Sequence, residues 1–238
     1  MNKKIITRSF AILISLNAVS SYASLSSSAL LAFDAGAQIC DETSLICTMQ
    51  GSYFAVDSND DGSLSVFESI GISPGTDGGL LIGESQLASN SHTGSPDGSE
   101  VAPFDAPWSF LANTGMHQST SPVNVYSDDG SGNVLLDFSG WGAVWNGLTI
   151  GLGGDSLNFA TETGLATVTC GADCSVGDVF TLDYAAHVAA DDPNNFGGVF
   201  WGIHLEGKVS AVPVPAAIWL FSSGLLGLFG FMRRRNSV

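Results

Sequence analysis

The sequence predicts a mainly β protein: a single antiparallel β-sandwich or jelly-roll ectodomain, followed by one C-terminal transmembrane helix. Three observations lead there. Short stretches alternate apolar and polar residues with a period of two, and no long stretch of the middle carries a helical period. Clusters of Gly, Asp, Asn and Pro separate those stretches. Charge is segregated along the chain, because all 23 Asp and Glu fall between Asp34 and Glu206 while Lys208 is the only Lys or Arg between Arg8 and Arg233.

The 238 residues carry a formal net charge of -16, gathered into an acidic middle between two basic ends. A surface of that sign repels phosphate backbones, which excludes nucleic-acid binding and sites that hold phosphate with Arg or Lys. It favours solubility and divalent cations. A hydrophobic content of 45% with 10% aromatic residues is too apolar for a disordered chain.

Residues 1–23 read as a secretory signal peptide: Lys3, Lys4 and Arg8 precede the apolar run Phe10 to Val19, and small residues close at Ser21-Tyr22-Ala23. Residues 24–211, roughly 190 residues, suffice for one sizeable core. In an exported chain the four cysteines meet an oxidising compartment. The short loops favour local pairing, Cys40 with Cys47 and Cys170 with Cys174, each closure contributing about 2–3 kcal/mol. A four-Cys zinc site lacks its paired C-x-x-C spacing.

Gly51-Ser-Tyr-Phe-Ala-Val56 reads as a strand, and the next twelve residues, 57–68, fit the calcium-loop pattern D-x-[DN]-x-[DN]-G-x5-E. Asp57, Asn59 and Asp61 would offer side-chain oxygens to a hard cation. Gly62 permits the sharp turn, Ser63 offers its carbonyl, Ser65 acts through water, and Glu68 closes the shell with two oxygens. Leu64 is expected to point into the core and pin the loop. The entering helix of an EF-hand is missing, so a lone Ca²⁺-binding loop on a β protein, stabilising rather than signalling, is expected. Gly71-Ile-Ser73-Pro74-Gly75 matches a nucleophile-elbow pattern, but Pro74 has no N–H for an oxyanion hole, which leaves a turn.

Residues 86–106, rich in Ser, Gly, Asp and Pro, read as a long loop crossing the surface. Beyond it alternation returns at Val134-Leu136-Phe138, from Phe180 to Val188, and at Val199-Trp201-Ile203-Leu205, with Gly202, His204, Glu206 and Lys208 on the opposite face. His92, His117, His187 and His204 never occur at metal-binding spacing and read as surface or half-buried side chains. Among so many acids a glycosidase-like carboxylate pair has no specificity. No catalytic residue is assigned, and the protein reads as a non-enzyme. Trp108, Trp141, Trp145 and Trp201, with Tyr126 and Tyr184, offer an alternative as a carbohydrate-binding module, which would need at least two of them exposed on one face. A glycan-active hydrolase is the remaining alternative.

The C-terminal piece, 212–238, starts Val212-Pro213-Val214-Pro215. It continues through the apolar stretch 216–232, at the lower length limit for a spanning helix, to Arg233-Arg234-Arg235, which would hold the end on the cytoplasmic side. This order of Pro motif, apolar helix and basic stop resembles a PEP-CTERM sorting signal of the Val-Pro-x-Pro-Ala type, with Val214 where the name-giving signal has Glu. The resemblance covers about the last 27 residues. Stretches such as Asp137 to Trp141 and Trp145 to Gly147 resemble uncharacterised proteins with such tails. The tail implies export, transient anchoring in the inner membrane, processing by an exosortase near Pro213–Pro215, and delivery to the cell surface or extracellular matrix. The expected role is a calcium-stabilised, non-enzymatic matrix protein serving biofilm or exopolysaccharide assembly, with exosortase, membrane and extracellular polysaccharide as partners.

Overall fold

The computed structural model describes residues 24–41, 46–89 and 92–212. The expected signal peptide and the tail from Pro213 onward, with its apolar stretch and Arg cluster, lie outside them. Among the described residues no helix is long and apolar enough to cross a membrane.

Along the chain the strands are β1 (Ala29–Phe33), β2 (Ala37–Cys40), β3 (Cys47–Gln50), β4 (Tyr53–Val56), β5 (Ser69–Gly71), β6 (Gly79–Leu81), β7 (Trp108–Phe110) and β8 (Asn113–Ser119). They continue as β9 (Val125–Asp128), β10 (Asn133–Asp137), β11 (Trp141–Trp145), β12 (Leu148–Gly151), β13 (Leu165–Cys170), β14 (Val179–His187) and β15 (Phe200–Ala211). A single 3₁₀ turn, Val66–Glu68, stands among the described residues. The protein is therefore mainly β, and every strand pair is antiparallel.

The larger sheet runs β5-β4-β15-β14-β13-β10-β9. The 12-residue β15 spans it, pairing β14 along one edge, and on the other β4 through Trp201–His204 and β1 through Gly207–Ala211. Period-two alternation is why these strands bury one face. Phe180, Leu182, Tyr184 and Ala186 stand opposite Gly207, Leu205, Ile203 and Trp201, and Val168 and Val134 extend the same apolar row across β13 and β10. Gly207 is required where strands crowd, because a Cβ there would collide with the Ala32 carbonyl oxygen.

The smaller sheet, β12-β11-β8-β7, faces this row. Rings bridge the two layers: Phe54 lies 5.2 Å from Trp108, and Phe138 lies 5.2 Å from Tyr184. The shared core holds Phe104, Phe138, Trp141 and Trp201, each no more than 2% exposed. The hairpin β2-β3 is a separate ribbon, crossed by the Cys40–Cys47 disulfide, and the second bridge joins Cys170 to Cys174. Both pairings are those expected from the short loops.

The 86–106 segment differs from expectation. Its described residues are irregular, yet Gln86, Glu100, Ala102, Phe104 and Asp105 are buried along it. β8 is consequently buried on both faces, with Gly115 and His117 turned to the core and Thr114 and Met116 under this segment. Ser119 donates its N–H to the Gln86 carbonyl at 3.0 Å and accepts the Gln86 N–H on its hydroxyl at 2.9 Å, and Ser89 Oγ reaches Met116 Sδ at 3.5 Å. The segment is a strap over the outer face of the smaller sheet, and Ala102, Phe104 and Asp105 are what pull it inward.

Candidate functional site

The 57–68 loop is the connection of the β4–β5 hairpin. The strand expected at 51–56 is β4, and Asp57 follows it directly, donating its N–H to the Phe200 carbonyl at 2.9 Å. Asp57 then accepts from Asp61 N at Oδ1 (3.2 Å) and from Gly62 N at Oδ2 (2.8 Å), while Asn59 Oδ1 accepts from Asp61 N (2.9 Å). Asp61 Oδ1 accepts from the N–H and hydroxyl of Ser63 at 2.9 and 2.5 Å, and these bonds hold the Asp61 carboxyl below its ordinary range. These side-chain-to-backbone turns wind the first half of the loop tightly. Gly62 at φ +78° sits in the left-handed region that the sharp turn needs.

Glu68 departs from the expectation. It is 5% exposed, and its two oxygens are taken up by five donors. Oε1 accepts from Ser58 N (2.9 Å), Ser58 Oγ (3.1 Å) and Asn59 N (3.3 Å). Oε2 accepts from Ser65 N (3.2 Å) and Ser65 Oγ (2.7 Å). Ser65 and Glu68 thereby cap the 3₁₀ turn, whose first N–H groups have no partner inside the turn. The Ser65 hydroxyl, with the Ser58 and Ser65 N–H groups, lowers the Glu68 carboxyl to about 2. The donor set of the loop is all oxygen, with the Asp61 and Glu68 carboxyls lowered by their hydrogen bonds, which is the donor type that hard divalent cations take. Coordination through Glu68 requires it to share oxygens that now accept from the backbone.

Leu64 pins the loop, but not in the inter-sheet core. It is half-buried on the outer face of the larger sheet, where its Cδ1 would lie 2.7 Å from a Cβ built on Gly202. The absent side chain at Gly202 is the seat for Leu64. The same outer depression carries Tyr53, Asp183 and His204.

The four histidines all find carboxylates, which their spacing in the sequence did not disclose. His117 is fully buried rather than at the surface: its N and Nδ1 donate to the two oxygens of Asp105 at 2.8 and 2.6 Å, and Trp108 Nε1 donates to the same carboxylate at 2.9 Å. Asp105 therefore ties the end of the strap to β7 and β8 inside the core. His187 donates from N and Nδ1 to Glu162 at 2.8 and 2.6 Å, with Phe159 stacked on its ring. His204 donates to Asp183 at 2.6 Å, which raises its pKa. His92 meets Glu100 through Nε2, with Asp97 Oδ1 3.7 Å away. Among the described residues this last set is the group of three His, Cys, Asp or Glu whose ligand atoms converge.

The aromatics do not make a sugar platform. Trp108, Trp141, Trp201 and Tyr184 are core residues, Trp145 is half-buried, and Tyr126 stands exposed away from them. Trp108, Trp145 and Trp201 instead line an apolar cavity of about 260 Å³ between the sheets, with Asp57 and Ser58 at its rim. The exposed Leu111, in a β7–β8 turn where Leu111 and Ala112 both take positive φ, also lines it. Ser73 and Pro74 of the elbow-like pattern lie in a turn where Pro74 bridges to Asp105, without the strand–turn–helix context a nucleophile needs. No family model, no curated protein and no solved structure matches the chain.

Proposed function

We propose that this chain is a non-enzymatic, exported surface or extracellular-matrix protein, stabilised by calcium and sorted by an exosortase, serving biofilm or exopolysaccharide assembly. The observation that carries the calcium part is the wound turn Asp57–Ser63, whose oxygens sit on a hairpin anchored by Leu64 over Gly202. Asp57, Asn59, Asp61, the Ser63 carbonyl and Glu68 would hold the ion, with Ser65 through water. A cation there would neutralise part of the charge of Asp57, Asp60, Asp61 and Glu68, in a protein whose described residues include Lys208 as their only Lys or Arg.

The sorting part rests on the sequence of the tail, Val212-Pro213-Val214-Pro215 with its apolar stretch and Arg233-Arg234-Arg235. The chain would pass briefly through the inner membrane as a jelly-roll or sandwich ectodomain on one helix. A matrix role suits a domain that spends its aromatics on its core. The carbohydrate-binding alternative keeps only Trp145 and Tyr126 for stacking, and on separate parts of the surface.

The sorting reading is tested by expressing the full chain in an exosortase-bearing host and in the same host lacking the enzyme, then following its C-terminus by mass spectrometry. Tail removal near Pro213–Pro215 and surface delivery only in the first host are expected. Release of tail-less protein from the second overturns the reading.

A further inference from the structure

The strap over β8 carries the second acidic cluster, and it has the features of a nitrogen-containing metal site. Glu100 has 2% side-chain exposure, and its Oε2 accepts from the N–H groups of Asp97 (3.3 Å) and Gly98 (3.2 Å). Its Oε1 is buried in direct contact with His92 Nε2, which is also buried, and neither atom has a further hydrogen-bond partner. Asp97 Oδ1 completes the group at 3.7 Å from Nε2, near the ~3.3 Å separation of two ligands that sit about 2.0 Å from a tetrahedral zinc.

The far side of the imidazole is arranged to match. His92 Nδ1 lies 3.2 Å from the Thr93 carbonyl and 3.3 Å from Thr114 Oγ1, whose own proton goes to the Gly94 carbonyl at 2.6 Å. Both neighbours accept, so Nδ1 carries a hydrogen, and Nε2 can offer its lone pair to a metal ion once the proton that it shares with Glu100 is displaced. That is the support that fixes the tautomer of a metal-ligating histidine. A buried carboxylate against an imidazole nitrogen needs a positive charge between them, supplied by a proton or by a metal ion. Among the described residues Lys208 is the sole Lys or Arg, and it lies on β15 of the opposite sheet. A proton shared between His92 and Glu100 would satisfy that pair alone, whereas a divalent ion would also engage Asp97, whose solvent-exposed carboxyl accepts the Ser99 N–H on Oδ1 at 2.9 Å.

We propose that His92, Asp97 and Glu100 bind one divalent transition-metal ion of the zinc class, which parts the His92–Glu100 contact and ties the strap to the outer face of β8. One imidazole and two carboxylates leave a position for water, and the nitrogen ligand separates this site from the all-oxygen loop at 57–68.

The test is calorimetric titration of the untagged full chain in detergent with Zn²⁺, in the presence of excess Ca²⁺, alongside Co²⁺ titration followed by visible absorption. One Zn²⁺ per chain is expected, together with the intense visible bands of four-coordinate Co²⁺. His92→Ala and Glu100→Gln should each weaken Zn²⁺ binding at least tenfold, and Asp57→Ala with Glu68→Ala should leave it unchanged. The Co²⁺ spectrum of the unaltered chain reads the site even where a variant folds poorly. Absence of Zn²⁺ binding, a six-coordinate Co²⁺ spectrum, or binding that survives both strap variants overturns the proposal and leaves a proton shared by His92 and Glu100.

Discussion

The hairpin loop at 57–68 and the strap at 92–100 both bury a glutamate, and the two glutamates are satisfied in different ways. Glu68 gathers five donors from Ser58, Asn59 and Ser65, all within ten residues of it. Glu100 receives two N–H groups on one oxygen and turns the other to His92. The difference follows from what each segment covers. The hairpin loop rests on an outer face at a sheet edge and closes on its own backbone. The strap lies over a strand buried on both sides, and one oxygen of its carboxylate takes backbone N–H groups while the other meets a side chain of the strap. A sequence pattern thus specifies a loop that folds on itself, while in the strap burial against β8 decides how three residues of one short stretch meet at a spacing that matches no motif.

The comparison breaks first at the strap's inner anchor. Asp105→Ala removes the acceptor of His117 and Trp108 in a fully buried place and should cost about 3–5 kcal/mol, read by denaturant unfolding. If the strap were only a surface loop the loss would stay within about 0.5 kcal/mol. The hairpin loop should be more tolerant, because its anchor lies outside the inter-sheet core. Gly202→Val displaces Leu64 and should cost about 1–3 kcal/mol while weakening calcium binding, measured by unfolding and by titration.

Acid sharpens the contrast further. The folded Glu68 carboxyl stands at about 2 against an ordinary 4.5, so its contribution is complete above pH 4.5 and fades as pH falls toward 2. Glu68→Gln should flatten the unfolding free energy across that window, and an unchanged slope would mean that the five bonds do not hold in solution. His204 provides the opposite sign and the smallest effect. Its pKa is raised by Asp183, so the pair stabilises below the ordinary histidine value of 6.5 and its contribution disappears as pH rises through the folded value. His204→Gln should remove about 0.2–1 kcal/mol at pH 5 and nothing at pH 9.

Alternation in β14 and β15 made the inner faces readable, since Phe180, Leu182, Tyr184 and Trp201 recur every second residue and all point inward. The disulfides were readable because each loop is too short for another partner to compete well. The calcium loop was readable as a spacing, but the direction of Glu68 was not, because a capping box and a chelating glutamate share one pattern. Leu64 could be seen as an anchor but not which face received it, as that depends on Gly202 lying across from it in a strand far along the chain. Asp105 joins the strap to His117 of β8, and His92 meets Glu100 within the strap at a spacing that matches no metal motif, so nothing local in Asp105 or His92 marks them. The six aromatics proposed for stacking show the limit of composition: the same rings fill a core or bind a sugar, and burial alone separates the two.

The account rests most directly on calcium at the hairpin. The thermal unfolding midpoint of the full chain should rise by about 5–10 °C at a calcium concentration one hundred times the dissociation constant, against the chain in chelator. Asp57→Ala with Glu68→Ala should abolish that rise. A midpoint indifferent to calcium in the unaltered chain, or a rise that persists in the double variant, contradicts the assignment of the 57–68 loop.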